Sequence, residues 1–121
     1  MNRLIKGVAG LITAIGLLFG LTACASQVLD MSKVTSVIDV RTAAEYASGH
    51  LKGAINIDVE ANDFTSKVTK LDPNGTYVVY CHSGRRAGIA ADQMGSLGFK
   101  NVSNIGGIAD AAVATGLPIV Q

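Results

Sequence analysis

Residues Val34 to Val40 read VTSVIDV, β-branched and mostly apolar, which predicts a strand buried on both faces. Thr42-Ala43-Ala44-Glu45 then forms a capping box, with a short helix behind it that ends near Gly49. Ala54 to Ile57 predicts a second, shorter strand, and Asn62 or Asp63 is placed to cap a helix running to about Leu71. Asp72-Pro73-Asn74-Gly75 is a turn. Thr76 to Tyr80 (TYVVY) is the strongest strand signal in the chain, and Cys81 stands at its C-terminal end. From Arg85 to Leu97 the apolar residues Ala87, Ala90, Ala91, Met94 and Leu97 recur at helical spacing on one face, with Gly98 as the stop. Asn101 to Ile105 predicts a further strand, followed by Gly106-Gly107 and a last helix over Ile108 to Thr115, before Gly116 and Pro118. Strands alternate with helices throughout, so the expected fold is α/β, a mainly parallel sheet with helices on both faces.

The N-terminus follows another pattern. Gly7 to Leu29 carries no charge, and Arg3 and Lys6 precede it. A basic segment followed by an apolar one reads as a secretory signal. Its end, Leu21-Thr22-Ala23-Cys24, resembles the lipobox of bacterial lipoproteins, in which cleavage falls before the cysteine and lipid is attached to its thiol. The uncharged stretch is also just long enough for the ~20 residues of an uncleaved membrane anchor. Either route tethers the domain outside the cytoplasm, on the periplasmic or cell-surface side. The expected organisation is a lipoprotein signal peptide over 1–23, a lipidated tether over 24–33 and one folded domain over 34–121.

Composition adds constraints. The 121-residue chain is 49% hydrophobic and 16% charged, and much of the apolar excess belongs to the N-terminal segment. Loss of residues 1–23 removes Arg3 and Lys6, leaving eight basic residues against nine acidic ones. No basic bias points to nucleic acid. Of the two cysteines, Cys81 is left without an intramolecular partner if Cys24 carries lipid. An odd thiol outside the cytoplasm points to reactivity or to pairing with another molecule.

Cys81 is well placed for the first. Ligands of a parallel α/β sheet bind outside the carboxyl ends of its strands. Cys81 is followed by His82 and Ser83, then Gly84, which is free to turn, and then by the start of a helix carrying Arg85 and Arg86. Backbone N–H groups of such a turn form an anion-binding nest, and a helix N-terminus with nearby cations favours thiolate. A buried strand-end cysteine with solvated arginines is the plainer alternative. A metal site is not expected, because Cys81, His82 and His50 show no paired ligand spacing. No phosphate-binding glycine motif occurs either. Cysteine phosphatases use a Cys-x5-Arg loop; here the sixth residue after Cys81 is Ala87, with arginines at the fourth and fifth positions.

Several motifs in fixed order resemble the rhodanese family of single-domain sulfurtransferases. They are Val37-Ile38-Asp39-Val40-Arg41 with Glu45-Tyr46; Gly49-His50-Leu51-Lys52-Gly53-Ala54-Ile55-Asn56-Ile57; and Tyr77-Val78-Val79-Tyr80-Cys81-His82-Ser83-Gly84-Arg85-Arg86. Leu97-Gly98-Phe99 with Val102 and Asn104, then Gly106-Gly107-Ile108 and Gly116-Leu117-Pro118, complete the series. One departure stands out: many relatives carry a Trp shortly after the Gly-Gly pair, where this chain has Asp110-Ala111-Ala112-Val113 and no Trp at all.

The resemblance implies a rhodanese-like fold and a sulfurtransferase that needs no cofactor. Cys81 would be the nucleophile that carries sulfur as a persulfide. His82, Ser83, Gly84, Arg85 and Arg86 would bind the donor, a small anion such as thiosulfate. A thiophilic acceptor such as cyanide, or a thiol on a partner protein, would remove the sulfur. Arg41 is expected to pair with Glu45 or another nearby carboxylate, His50 to be a packing histidine and Tyr80 to be core. Asp39 is open between the pocket and a structural role. The alternatives are a sulfane-sulfur carrier or thiol-redox partner, a phosphatase or arsenate reductase, and a non-catalytic binding module. The tether is tested separately: metabolic lipid labelling of the full chain should disappear in Cys24→Ser, and unchanged labelling would exclude the lipobox.

Overall fold

The computed structural model describes residues 28–121. The expected signal peptide and Cys24 lie outside the described residues. A four-stranded parallel sheet forms the centre, built from β1 (Ser36–Asp39), β3 (Ile55–Asn56), β4 (Thr76–Cys81) and β5 (Asn101–Gly107) in the order β3-β1-β4-β5. The helices are α1 (Ala43–Ser48), α2 (Phe64–Val68), α3 (Arg85–Ser96) and α4 (Ile108–Thr115). Two further strands, β2 (His50–Leu51) and β6 (Ile119–Val120), pair antiparallel outside the sheet. Two-residue ladders carry no periodicity, so neither was visible in the pattern of the chain.

β4 is central, and this explains its unbroken apolar sequence. Its side chains alternate between two cores. Tyr77, Val79 and Cys81 join Ile38 and Val40 under Phe64 and Val68 of α2 and Ala87, Ala90 and Met94 of α3. Val78 and Tyr80 face the other way, with Val37, Leu51, Ala54 and Ala111 of α4. The sheet is therefore covered on both faces, as parallel sheets require.

Local chemistry sets the element ends. The capping box on α1 forms: the Thr42 hydroxyl accepts from the Glu45 N–H at 3.2 Å, and Glu45 Oε1 accepts from the Thr42 N–H at 3.2 Å. Asp63 precedes α2 but makes no side-chain cap; its carboxylate lies 3.3 Å from Lys67 Nζ instead, and the helix stops at Val68 rather than Leu71. Leu97, expected on the buried face of α3, is 39% exposed. The chain turns before it can pack. Gly98, at φ +99°, donates to the Gly95 carbonyl, and the Phe99 N–H donates to the Met94 carbonyl at 3.1 Å. This paired C-terminal motif swings Phe99 into the core in place of Leu97.

Within the segment 24–33 expected as tether, the described residues join the fold. The Leu29 N–H donates to the Ala114 carbonyl at 2.8 Å, and Leu29, Met31 and Val34 pack beside the α4 core, because their apolar surface is better buried than solvated. Among the described residues, no helix is long and apolar enough to cross a membrane.

Glycines separate into those with room and those without. A Cβ at Gly107 would collide with the His82 carbonyl oxygen and lie 3.2 Å from Ser83 Cα. A Cβ at Gly95, within α3, meets nothing within 4 Å. Gly107→Ala should therefore cost about 1–3 kcal/mol in urea unfolding, as overpacking does, whereas Gly95→Ala should add about 0.4–1 kcal/mol. Equal effects at the two sites would show that the approach of His82 to Gly107 is not tight.

Candidate active site

The sheet brings Cys81 to the C-terminal end of its central strand, where it is 1% exposed and, among the described residues, has no disulfide partner. The chain then doubles back. Gly84, at φ +103°, is the residue before α3, and its N–H donates to Cys81 Sγ at 2.9 Å. Only glycine takes that φ without strain. The backbone N–H groups of Arg85, Arg86 and Ala87 open α3 and have no intrahelical acceptor, and Gly84 brings no side chain to cap them. His82, Ser83 and Arg85 are exposed, while Arg86 is half-buried. The loop thus sets one backbone donor on the sulfur and leaves three more N–H groups without intrahelical partners at the start of α3, the kind of turn that binds anions.

Arg85 and Arg86 are not equivalent. Arg86 grips Glu45 with both prongs of its guanidinium, Nη1 to Oε1 at 2.7 Å and Nη2 to Oε2 at 3.0 Å. Those hydrogen bonds hold the Glu45 carboxyl at about 2, well below its ordinary value, and raise Arg86 in turn. Arg86 is thereby committed to α1, and Arg85 is the exposed cation of the loop. Glu45 was legible as a helix cap but not as the partner of Arg86, which lies 41 residues away.

Arg41 takes a nearby carboxylate, but it is Asp39 rather than Glu45. The Arg41 Nη2 donates to Asp39 Oδ2 at 2.7 Å and to the Gly49 carbonyl at 2.6 Å, and Nε donates to both Asp39 oxygens. Asp39 is fully buried and Arg41 is 5% exposed. Asn56 completes the cluster, donating to the carbonyls of Asp39 and Arg41 at 3.0 and 2.9 Å. Asp39 is therefore structural and does not open onto the loop. Tyr80 is core, with its hydroxyl accepting from the Leu51 N–H at 3.0 Å; burial pushes its ionisation up. His50 packs, its ring stacked on Tyr46 at 3.7 Å and its Nδ1 2.9 Å from the Tyr46 carbonyl.

Ala87 is fully buried in the core beside Cys81. A side chain at this sixth position after the cysteine points inward, so the loop could not use an arginine there as a Cys-x5-Arg phosphatase does. Among the described residues, no group of three or more His, Cys, Asp and Glu side chains gathers as metal ligands. In the region where relatives carry Trp, α4 begins and Asp110 packs against Gly106, whose ideal Cβ would lie 3.3 Å from Asp110 Oδ2.

One contact to the loop was not visible in the sequence: the Asn104 side chain on β5 donates to the Gly84 carbonyl. Asn104 belonged to the motif series, but an exposed asparagine on a strand gives no sign of its partner.

Known proteins resemble the chain in sequence and in fold. The model of the family described as rhodanese-like domain matches residues 23–112. The thiosulfate sulfurtransferase PspE of Escherichia coli is 37% identical over 76 residues, covering 63% of this chain and 73% of that protein. YrkF of Bacillus subtilis, provisionally named a sulfur carrier protein, is 33% identical over 79 residues, 65% of this chain but only 42% of that protein. Among solved structures, a rhodanese with anions from E. coli superposes with a TM-score of 0.59 at 34% identity, covering 71% of this chain and 96% of that one.

The Glu45–Arg86 pair has a pH signature. Because the folded-state value of Glu45 lies below its ordinary 4.5, the pair's contribution is complete above that pH and is lost as pH falls toward 2. The stability gap between wild type and Glu45→Gln, measured by urea unfolding from pH 7 to pH 2, should narrow over that window. A gap independent of pH would show that the pair is not formed in solution.

Proposed function

The chain belongs to the rhodanese-like domain family, a family of sulfurtransferases, and from that premise we propose that it is a thiosulfate sulfurtransferase working through Cys81. The observation that carries the reading is the Gly84 N–H aimed at Cys81 Sγ at the open end of α3. In this reading the Cys81 thiolate attacks the outer sulfur of thiosulfate. A Cys81–S bond forms, the S–S bond of the donor breaks, and sulfite leaves with the bonding pair. Cys81 then holds an anionic persulfide. The uncapped N–H groups of α3 are placed to take up that charge. Cyanide attacks the outer sulfur, leaves as thiocyanate and returns the thiolate, so no oxidant or cofactor is consumed.

The loop residues divide the work. Cys81 is covered by the loop, so the donor meets His82, Ser83 and Arg85 first. Arg85 attracts the anion. Arg86, held by Glu45, fixes the first turn of α3 and adds its charge without offering a free fork. Likeness to a rhodanese solved with anions supports an anionic donor here.

Sulfur carriage to a partner thiol is the second reading. It is favoured by the likeness to YrkF, provisionally named a sulfur carrier protein. Both readings place the persulfide on Cys81. We further propose that Cys24 carries lipid and holds the domain at a membrane outside the cytoplasm, in keeping with the uncharged segment that precedes it.

Thiosulfate and cyanide supplied to the protein should yield thiocyanate, with activity abolished in Cys81→Ser. Retention of activity by that variant would remove Cys81 from the mechanism. If wild type makes no thiocyanate, intact mass after incubation with thiosulfate decides: one added sulfur supports carriage, and none rejects both readings.

A further inference from the structure

Asn104 links two glycines whose backbone lies in the positive-φ region. Its Nδ2 donates to the Gly84 carbonyl at 3.0 Å, and its Oδ1 accepts from the Gly106 N–H at 2.8 Å. Gly84 and Gly106 both have positive φ, +103° and +93°. The two backbones run close together, so that a Cβ on Gly84 would be in van der Waals contact with Gly106 Cα at 3.5 Å. The side chain also lies close over α3, with Nδ2 3.4 Å from the ideal Cβ position of Gly88, so the lack of a side chain at Gly88 leaves it room.

Gly84 is the residue whose N–H meets the sulfur. Glycine has the widest backbone freedom of any residue, and nothing in its own chemistry holds its N–H on Cys81. Its carbonyl accepts from the Gly88 N–H at 3.1 Å, the first bond of α3, which ties it only to the helix it begins. Asn104 ties the same carbonyl to β5, on the far side of the loop. With the carbonyl held from two elements, rotation of Gly84 is blocked and its N–H stays on the sulfur. We propose that Asn104 is a positioning residue for sulfur transfer, acting through Gly84. This rests on the assignment of Cys81 as the sulfur-bearing residue.

The side chain's two halves can be separated. Asn104→Ala removes both bonds. Asn104→Asp keeps an acceptor for the Gly106 N–H but faces the Gly84 carbonyl with no donor. Both variants should lower kcat/KM for thiosulfate in the cyanide assay by about 5- to 10-fold, the loss expected for one neutral hydrogen bond. Asn104 is exposed, so unfolding in urea should change little. Ser103→Ala, at the adjacent exposed position, should match wild type. The deciding readout is amide exchange of Gly84 followed by NMR, which does not depend on turnover. In both Asn104 variants it should quicken by a similar 5- to 10-fold, with exchange in β1 and β4 unchanged. Wild-type exchange at Gly84 in the variants, or an unprotected Gly84 amide in wild type, would overturn the proposal. Equal acceleration at all amides would overturn it as well, by reducing Asn104 to a general stabilising contact. If wild type proves inactive toward thiosulfate, the exchange result still decides the role of Asn104, while the failure belongs to the functional reading.

Discussion

A carboxylate and a guanidinium buried together at the end of β1 set the frame of this domain. Removing one member of such a buried pair leaves the other without its partner and costs about 3–5 kcal/mol, a large part of a domain's ~5–15 kcal/mol. The pair does more than neutralise itself. Arg41 reaches the Gly49 carbonyl after α1, and Asn56 of β3 donates to the backbone on both sides of Val40. Asp39 also lies in register with Tyr80, the residue before Cys81. The carboxyl edge of the sheet is thereby fixed from three elements, and the loop after β4 leaves from a rigid base.

On that base the loop is shaped by what is missing as much as by what is present. Gly107 lacks the Cβ that would strike His82, and this lets the loop press against the start of α4. Gly84 supplies the turn, and Ala87 supplies a small inward contact beside the sulfur. Charge is divided in the same economical way. One arginine is tied to α1 through Glu45, and the other is exposed to solvent, so the loop has one paired cation and one solvated one.

The strands of the sheet were legible because burial on two faces leaves an unbroken apolar run, as in TYVVY. The capping box was legible because its logic is local. Cys81 was legible through its neighbours, since strand end, glycine and helix start lie within a few residues. What escaped was non-local or too short. The partners of Arg41 and Arg86 depend on how β1, α1 and α3 are brought together. β2 and β6 are two residues each, and Leu97 lost its place to Phe99 through a turn that helical spacing cannot foresee. The chain before Val34 was read as tether because polar residues dominate it, although Leu29 and Met31 find apolar cover on α4.

That contact also gives the domain a direction. Leu29 bonds to Ala114 in the last turn of α4, whereas Gly107, just before the helix, abuts the loop that holds Cys81. Eight helical residues span about 12 Å. The chain therefore enters the fold at the opposite end of α4 from the sulfur. The contact that closes the start of the described chain and the loop that holds the sulfur are thus separated by the length of α4.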